Sequence, residues 1–149
     1  MDLSDLATLA TIITGALAIT GVLQWVLARK QLFLQVMSTA HDRYSQLYPV
    51  LSTLPSTLQK YDDLSTEQKQ AISAYVNLCS EQFYWWRWRK LVDRDVWRVW
   101  DTAIAEKFQH PAIRLAWRHN HVHDTYYKGF KEYVEAKVQN DLRSAQAIY

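Results

Sequence analysis

The run Leu6–Ala28, LATLATIITGALAITGVLQWVLA, constrains this chain more than any other stretch. It carries no formal charge, and Gln24 is its only strongly polar side chain. At ~1.5 Å rise per residue it is long enough to cross the ~30 Å hydrocarbon core of a bilayer as one helix. A helix lying in water needs a polar face, and this one has none. The sequence therefore predicts a transmembrane anchor over residues 1–30, with the span at about 6–28, followed by a separate domain over 31–149. Asp2 and Asp5 precede the span, while Arg29 and Lys30 follow it at once. By the positive-inside rule the N-terminus is expected outside and the rest of the chain on the cytoplasmic side of the inner membrane. A cleaved signal peptide is the alternative. Against it, the run is too long for a signal h-region, acidic at its start and without a clear A-x-A exit.

The pattern within the span says more than its length. Ala7, Thr11, Thr14, Ala18, Gly21, Trp25 and Ala28 follow a 4-3-4-3 spacing, which keeps them on one helix face. Small residues let helix backbones approach closely, and Thr hydroxyls can bond across the contact. Self-association through this seam is the expectation. The plainer reading is that Ala, Thr and Gly are common in bilayer helices and the span is only an anchor.

All 17 Lys and Arg lie in residues 29–149 with 13 of the 15 acids, an excess of four positive charges. That suits a neighbour of anionic lipid or RNA without demanding either. Cys79 is the only cysteine, so no intrachain disulfide forms, as expected on the reducing side of a membrane. Two of the three glycines, Gly15 and Gly21, fall in the span, so the remainder has few helix breakers and reads as all-helical. Its oddity is a surplus of Trp and Tyr.

In chain order, Leu32, Val36, Thr39 and Tyr44 continue a helical stripe from the span to a break expected at Tyr48-Pro49. Residues 49–64, with Pro49, Pro55 and several Ser and Thr, fit a loop or a short broken helix. Ser65-Thr66-Glu67-Gln68 is a capping-box signature for a helix reaching about Lys90, with Ile72, Tyr75, Val76, Cys79, Phe83 and Trp86 as its apolar stripe. Asp93 can cap a helix over 94–109 that buries Val96, Trp97, Trp100, Ile104 and Phe108. Pro111 suits the first turn of another helix, to about Arg118. Asp124 can cap the last, 125–147, with Tyr127, Phe130, Val134 and Val138 inward. The predicted fold is all-α, a transmembrane helix feeding a cytosolic bundle of four or five helices.

Two stretches could carry chemistry. In Tyr84-Trp85-Trp86-Arg87-Trp88-Arg89-Lys90 successive side chains are 100° apart on a helix, so the aromatics cannot all enter one core. Trp85, Trp86, Arg87, Trp88 and Arg89 are thus candidates for a subunit interface, a lipid headgroup or a nucleic-acid base. The bland alternative is a Trp-rich core with Arg stems lying over it. The second stretch, residues 114–124, holds three of the five histidines and two overlapping R-x4-H patterns, Arg114 to His119 and Arg118 to His123. A guanidinium could hold a phosphodiester while an imidazole moves a proton during attack by the ribose 2′-hydroxyl. Arg118, His119, Asn120 and His123 make the better-formed candidate set, with Arg114 competing for the role of Arg118. A metal site on His119, His123 and Asp124 is the rival, but no second acidic or Cys cluster completes it, so neither metal nor cofactor is expected. The bland reading is a polar helix end, where His is favoured by the dipole.

Two resemblances bear on these residues. Tyr75-Val76-Asn77-Leu78 with Glu81-Gln82-Phe83-Tyr84, then Asp93-x-Asp95-Val96-Trp97-x-x-Trp100, Trp117 and Tyr127-x-x-Phe130, resemble a broad group of membrane-anchored bacterial helical proteins. That likeness covers under half of the chain, mostly at core positions. Arg118-His119 within an R-x4-H motif resembles the HEPN family of helical bundles, in which Asn, Asp or His often follows the Arg. A membrane helix followed by a divergent bundle of this type is similar to the membrane accessory proteins of type VI-B CRISPR systems. That resemblance implies a multisubunit ring or pore that strengthens RNA-guided antiviral defence by compromising the inner membrane. Its implied partners are further copies of the chain, the lipid bilayer, and RNA or an RNA-guided effector complex. The alternatives are a membrane-tethered, metal-independent HEPN-like ribonuclease with Arg118 and His123 as a composite site, and a passive anchor or scaffold for another membrane complex.

Overall fold

Helix termini in this chain are set mostly by residues three or four positions apart. The computed structural model describes residues 2–120 and 126–146, the side chains of 3, 5–7, 9, 120 and 139–146 excepted, and holds no strand among them. Five helices follow one another: α1 (Leu3–Leu51), α2 (Thr66–Arg87), α3 (Arg94–Gln109), α4 (Pro111–Asn120) and α5 (Phe130–Gln146). A 3-10 turn at Tyr61–Asp63 precedes α2. The fold is all-α, as expected. The chain divides into two compact units, Met1–Met37 and Ser38–Tyr149, and the division falls inside α1.

The caps expected at Ser65 and Asp93 are present. Ser65 Oγ accepts from the Gln68 amide at 3.1 Å, and the Ser65 amide donates to Gln68 Oε1 at 3.0 Å, a complete capping box. Asp93 Oδ1 accepts from the Val96 amide at 2.8 Å and starts α3. Pro111 opens α4, where its missing N–H costs nothing.

Two boundaries differ from expectation. The first helix does not stop at Tyr48-Pro49 but runs through Pro49 to Leu51. Pro49 forfeits the bond its missing N–H would give to the Ser45 carbonyl, and against that loss the extra residues carry Leu51 into the core and Val50 to its edge. Ser52 and Thr53 then satisfy the end, through Ser52 Oγ to the Pro49 carbonyl and Thr53 Oγ1 to the Val50 carbonyl, each at 2.8 Å. The last helix begins at Phe130 rather than at residue 125, and Asp124 and Thr125 lie outside the described residues. Gly129, at φ +86, takes the left-handed conformation that a helical residue there could not share. Tyr127 thus precedes α5 and is exposed, not inward. Of the stripe after the span, Val36 is buried and Tyr44 packs at the core's edge, while Leu32 and Thr39 are exposed.

Within Ser38–Tyr149, α2 packs on α3, α4 and α5, and α3 on α4 and α5. The centre is aromatic. Phe83 meets Trp97, Phe130 and Tyr133 with ring centroids 5.1–6.1 Å apart, and Trp86 stacks on Trp97 at 4.4 Å. Trp117 meets Phe108, Tyr126 and Phe130 in the adjoining layer. Such pairs contribute ~0.5–1.5 kcal/mol each beyond their buried area. Two polar ties clamp the bundle: Arg43 of α1 to Glu81 of α2, and Asp101 of α3 to Tyr133 and Lys137 of α5 at 2.6 and 2.7 Å. Burial, and then the Asp101 carboxylate, raise the Tyr133 phenol, which stays protonated and donates. Cys79 is fully buried, and burial pushes its thiol up to about 12.

In Met1–Met37 the arrangement is the opposite. Residues 10–32 are exposed on every side, and α1 is long and apolar enough to cross a membrane.

Candidate functional site

The apolar helix presents its seam bare. A Cβ built at Gly15 or Gly21 would meet nothing within 4 Å. Leu17, outside the seam, is 67 % exposed and Trp25, within it, 61 %, so no face is covered in the single chain. Thr11, Thr14, Ala18, Gly21 and Trp25 all lie in this exposed stretch, whereas the side chain of Ala7 is outside the described residues. The hydroxyls are partly committed. Thr14 donates to the Ala10 carbonyl and Thr20 to the Ala16 carbonyl, each at 2.8 Å, as Thr commonly does in a helix. A Thr14 hydroxyl so engaged can accept a bond from a neighbouring helix but has no proton left to donate. Close approach at Ala18 and Gly21 is then the main attraction the seam can offer. At its end the Arg29 guanidinium lies 5.5 Å from the Trp25 ring, a cation–π contact of a membrane-interface kind.

The aromatic–basic stretch is split three ways by the end of α2. Trp86 goes to the Trp97 stack and Trp85 packs partly buried against the core. Tyr84 stacks on Tyr127 at 4.4 Å, an outer layer over the α2 C-terminus. Trp88 is 52 % exposed, with Arg87, Arg89 and Lys90 exposed beside it. Its indole N–H donates to the Lys128 carbonyl at 3.2 Å, and the Arg87 guanidinium sits 5.9 Å from its ring. Trp88 itself stays helical, its amide donating to the Tyr84 carbonyl at 3.0 Å, and the turn after it is closed by Lys90 at φ 50 and by the Leu91 amide reaching back to the Trp85 carbonyl at 3.0 Å. Left-handed backbone at a non-glycine residue costs ~1 kcal/mol.

Residues 114–120 of the Arg/His stretch lie in α4. Arg114 and Arg118, one turn apart, line a shallow groove of about 280 Å³ with Leu58, Pro111 and Leu115. Arg114 is half-buried and committed at one end, its Nη2 donating to the Gln109 carbonyl at 2.7 Å, while its buried Nε has no partner among the described residues. Arg118 is exposed. His119 does not line the groove. Its ring stacks on Tyr61 at 4.2 Å, and the Lys69 ammonium lies 4.9 Å from the same Tyr61 ring. Arg114 and His119 are therefore directed to different neighbours, not to the one shared phosphate that the R-x4-H spacing suggested. The backbone of Asn120 closes α4, its side chain is outside the described residues, and so are His123 and Asp124. No three His, Cys, Asp or Glu side chains are grouped as metal ligands among the described residues.

Three functional-looking groups were not singled out by sequence. His110 Nδ1 accepts from the Ala112 amide at 3.3 Å and so caps α4 as a neutral ring. Partial burial and the nearby Lys107 charge lower its pKa, which favours that neutral form. The position just before Pro111 was the available signal. The Asp101–Tyr133–Lys137 tie and the Tyr61–His119 stack join residues far apart in sequence and left no local trace. No family model, curated protein or solved structure matches this chain.

Proposed function

We propose that this chain is a single-pass protein of the inner (cytoplasmic) membrane that assembles with copies of itself through the Thr11, Thr14, Ala18, Gly21 and Trp25 face. Its finer form, a ring or pore serving CRISPR-associated antiviral defence, is what the resemblance to the type VI-B accessory proteins implies. The observation that carries the reading is the bare apolar helix: residues 10–32 are exposed all round, so lipid or further helices must cover them. The order of charges, Asp2 and Asp5 before the span and Arg29 and Lys30 after it, supports an outside N-terminus with the bundle in the cytoplasm.

The test is the protein mass of the detergent-solubilised particle by size exclusion with light scattering. A mass of six or more subunits is expected, and a monomer overturns assembly. Gly21→Leu sharpens it, because nothing lies within 4 Å of a Cβ there and the single chain loses nothing. A drop in mass then reads helix contact alone. Orientation is read by Ser4→Cys, labelled in intact cells with a membrane-impermeant maleimide. Buried Cys79 stays silent, and labelling only after permeabilisation would reverse the topology.

A second reading, the tethered ribonuclease, is favoured by one observation, the groove lined by Arg114 and Arg118. It is consistent with an anion site but lacks a described imidazole facing the same space. Arg118→Ala should abolish metal-independent RNA cleavage and leave the particle mass intact. Purified oligomer that never cleaves RNA removes this reading.

A further inference from the structure

The α2 C-terminus and the turn before α5 form one surface with an unusual charge content. Tyr84–Leu91 and Tyr126–Lys131 hold five cations, Arg87, Arg89, Lys90, Lys128 and Lys131, and no Asp or Glu. Three contacts bind the two segments together: Trp88 Nε1 to the Lys128 carbonyl, the Tyr84–Tyr127 stack, and the Tyr127 amide to buried Ser80 Oγ at 3.0 Å. The flanking acids in sequence are Glu81 of α2, paired with Arg43, Asp93, which caps α3, exposed Glu132 on α5, and Asp124, which lies outside the described residues. Trp88 and Tyr127 are the large aromatics this surface leaves in solvent, at 52 % and 44 % exposure. Trp and Tyr among Lys and Arg are the side chains that settle at a bilayer's headgroup layer.

We propose that this surface binds the phosphate headgroups of an anionic bilayer, with Trp88 and Tyr127 seated among them and Arg87, Arg89 and Lys128 on the phosphates. The proposal rests on the membrane-spanning reading of α1, which keeps a lipid surface at high effective concentration. RNA could use the same cations, since bases stack on aromatics. Lipid is favoured because a chain held in a bilayer meets it first.

The experiment uses the full chain in vesicles of phosphatidylcholine, alone or mixed about 2:1 with phosphatidylglycerol, containing a headgroup nitroxide quencher. The fluorescence of Trp88 is obtained by subtracting Trp88→Phe, and that of Trp25 by subtracting Trp25→Phe. Trp88 quenching should rise about twofold or more with the anionic lipid, and fall back at about 1 M salt, where the Debye length is ~3 Å. The same fall is expected in Arg87→Gln/Arg89→Gln/Lys128→Gln, whose changes are confined to exposed side chains. Trp25 should be quenched in both vesicles and respond to neither change. If Trp25 is not quenched, the membrane-spanning reading fails. If Trp25 is quenched while Trp88 stays dark to lipid charge, the headgroup surface fails and the span stands. A gel shift of a uridine 20-mer by the solubilised chain, lost in the triple variant and without any lipid dependence of Trp88, assigns the surface to nucleic acid and overturns the proposal.

Discussion

Residues 10–32 and the bundle after Ser38 are both rich in large apolar side chains, yet they use them in opposite ways. In the first, Ile12, Leu17, Val22 and Leu23 are all exposed and the backbone is satisfied within the helix itself. In the second, Phe83, Phe130, Val134 and Ile113 are buried against partners from other helices. Apolar content alone does not make a core. A uniform run with no polar face has nothing to bury against in its own chain, whereas residues spaced three and four apart on short helices have.

The contrast is breakable in graded ways. The largest effect is expected at the aromatic centre, where Phe130→Ala removes a fully buried ring shared by Phe83, Trp117, Tyr126 and Tyr133. It should cost about 3–5 kcal/mol of unfolding free energy, read by near-UV circular dichroism in detergent. Leu17→Ala, at a comparably apolar position of the other region, should leave that transition in place. An equal loss from both would erase the distinction between the regions.

Next comes the α3–α5 tie. Asp101→Ala strands the Tyr133 hydroxyl and the Lys137 ammonium, and should cost about 1–2 kcal/mol by the same measurement. Loss of the α3 cap in Asp93→Ala should cost about 1 kcal/mol, with Asp93→Asn nearly neutral. If Asp93→Asn costs as much as Asp93→Ala, capping is not its role.

The smallest effect is a pH dependence. His110 caps α4 only as a neutral ring, and its pKa is lowered by burial and by Lys107. The folded chain then binds fewer protons than the unfolded one. This contribution is complete above the unfolded value of about 6.5 and is lost as pH falls through the lower folded value. His110→Asn, which keeps an acceptor but cannot titrate, should flatten that slope in a melting-temperature series. A slope that survives the substitution assigns the dependence to another group.

Much of the fold was legible because its signals are local. A capping box spans Ser65 to Gln68, an Asp cap spans Asp93 to Val96, and both act within one turn of chain. The candidate site was legible only as a list of residues. Sequence named Trp85, Trp86 and Trp88 together, while the packing sent the first two to the bundle and left the third outside. Likewise it paired Arg114 with His119, which turned to a groove and to Tyr61 respectively.

By itself, then, the sequence determined the apolar helix, the all-α class and the principal helix starts, because each follows from neighbours within a turn or from one uninterrupted run. Only the tertiary structure decided which aromatics remain in solvent. Trp86 is partly buried against Trp97, Tyr84 is covered by Tyr127, and Trp88 stays outside the bundle, held by the Lys128 carbonyl. Those partners lie 11 to 43 residues away. No local pattern can encode a contact whose other half is set by where a different helix docks.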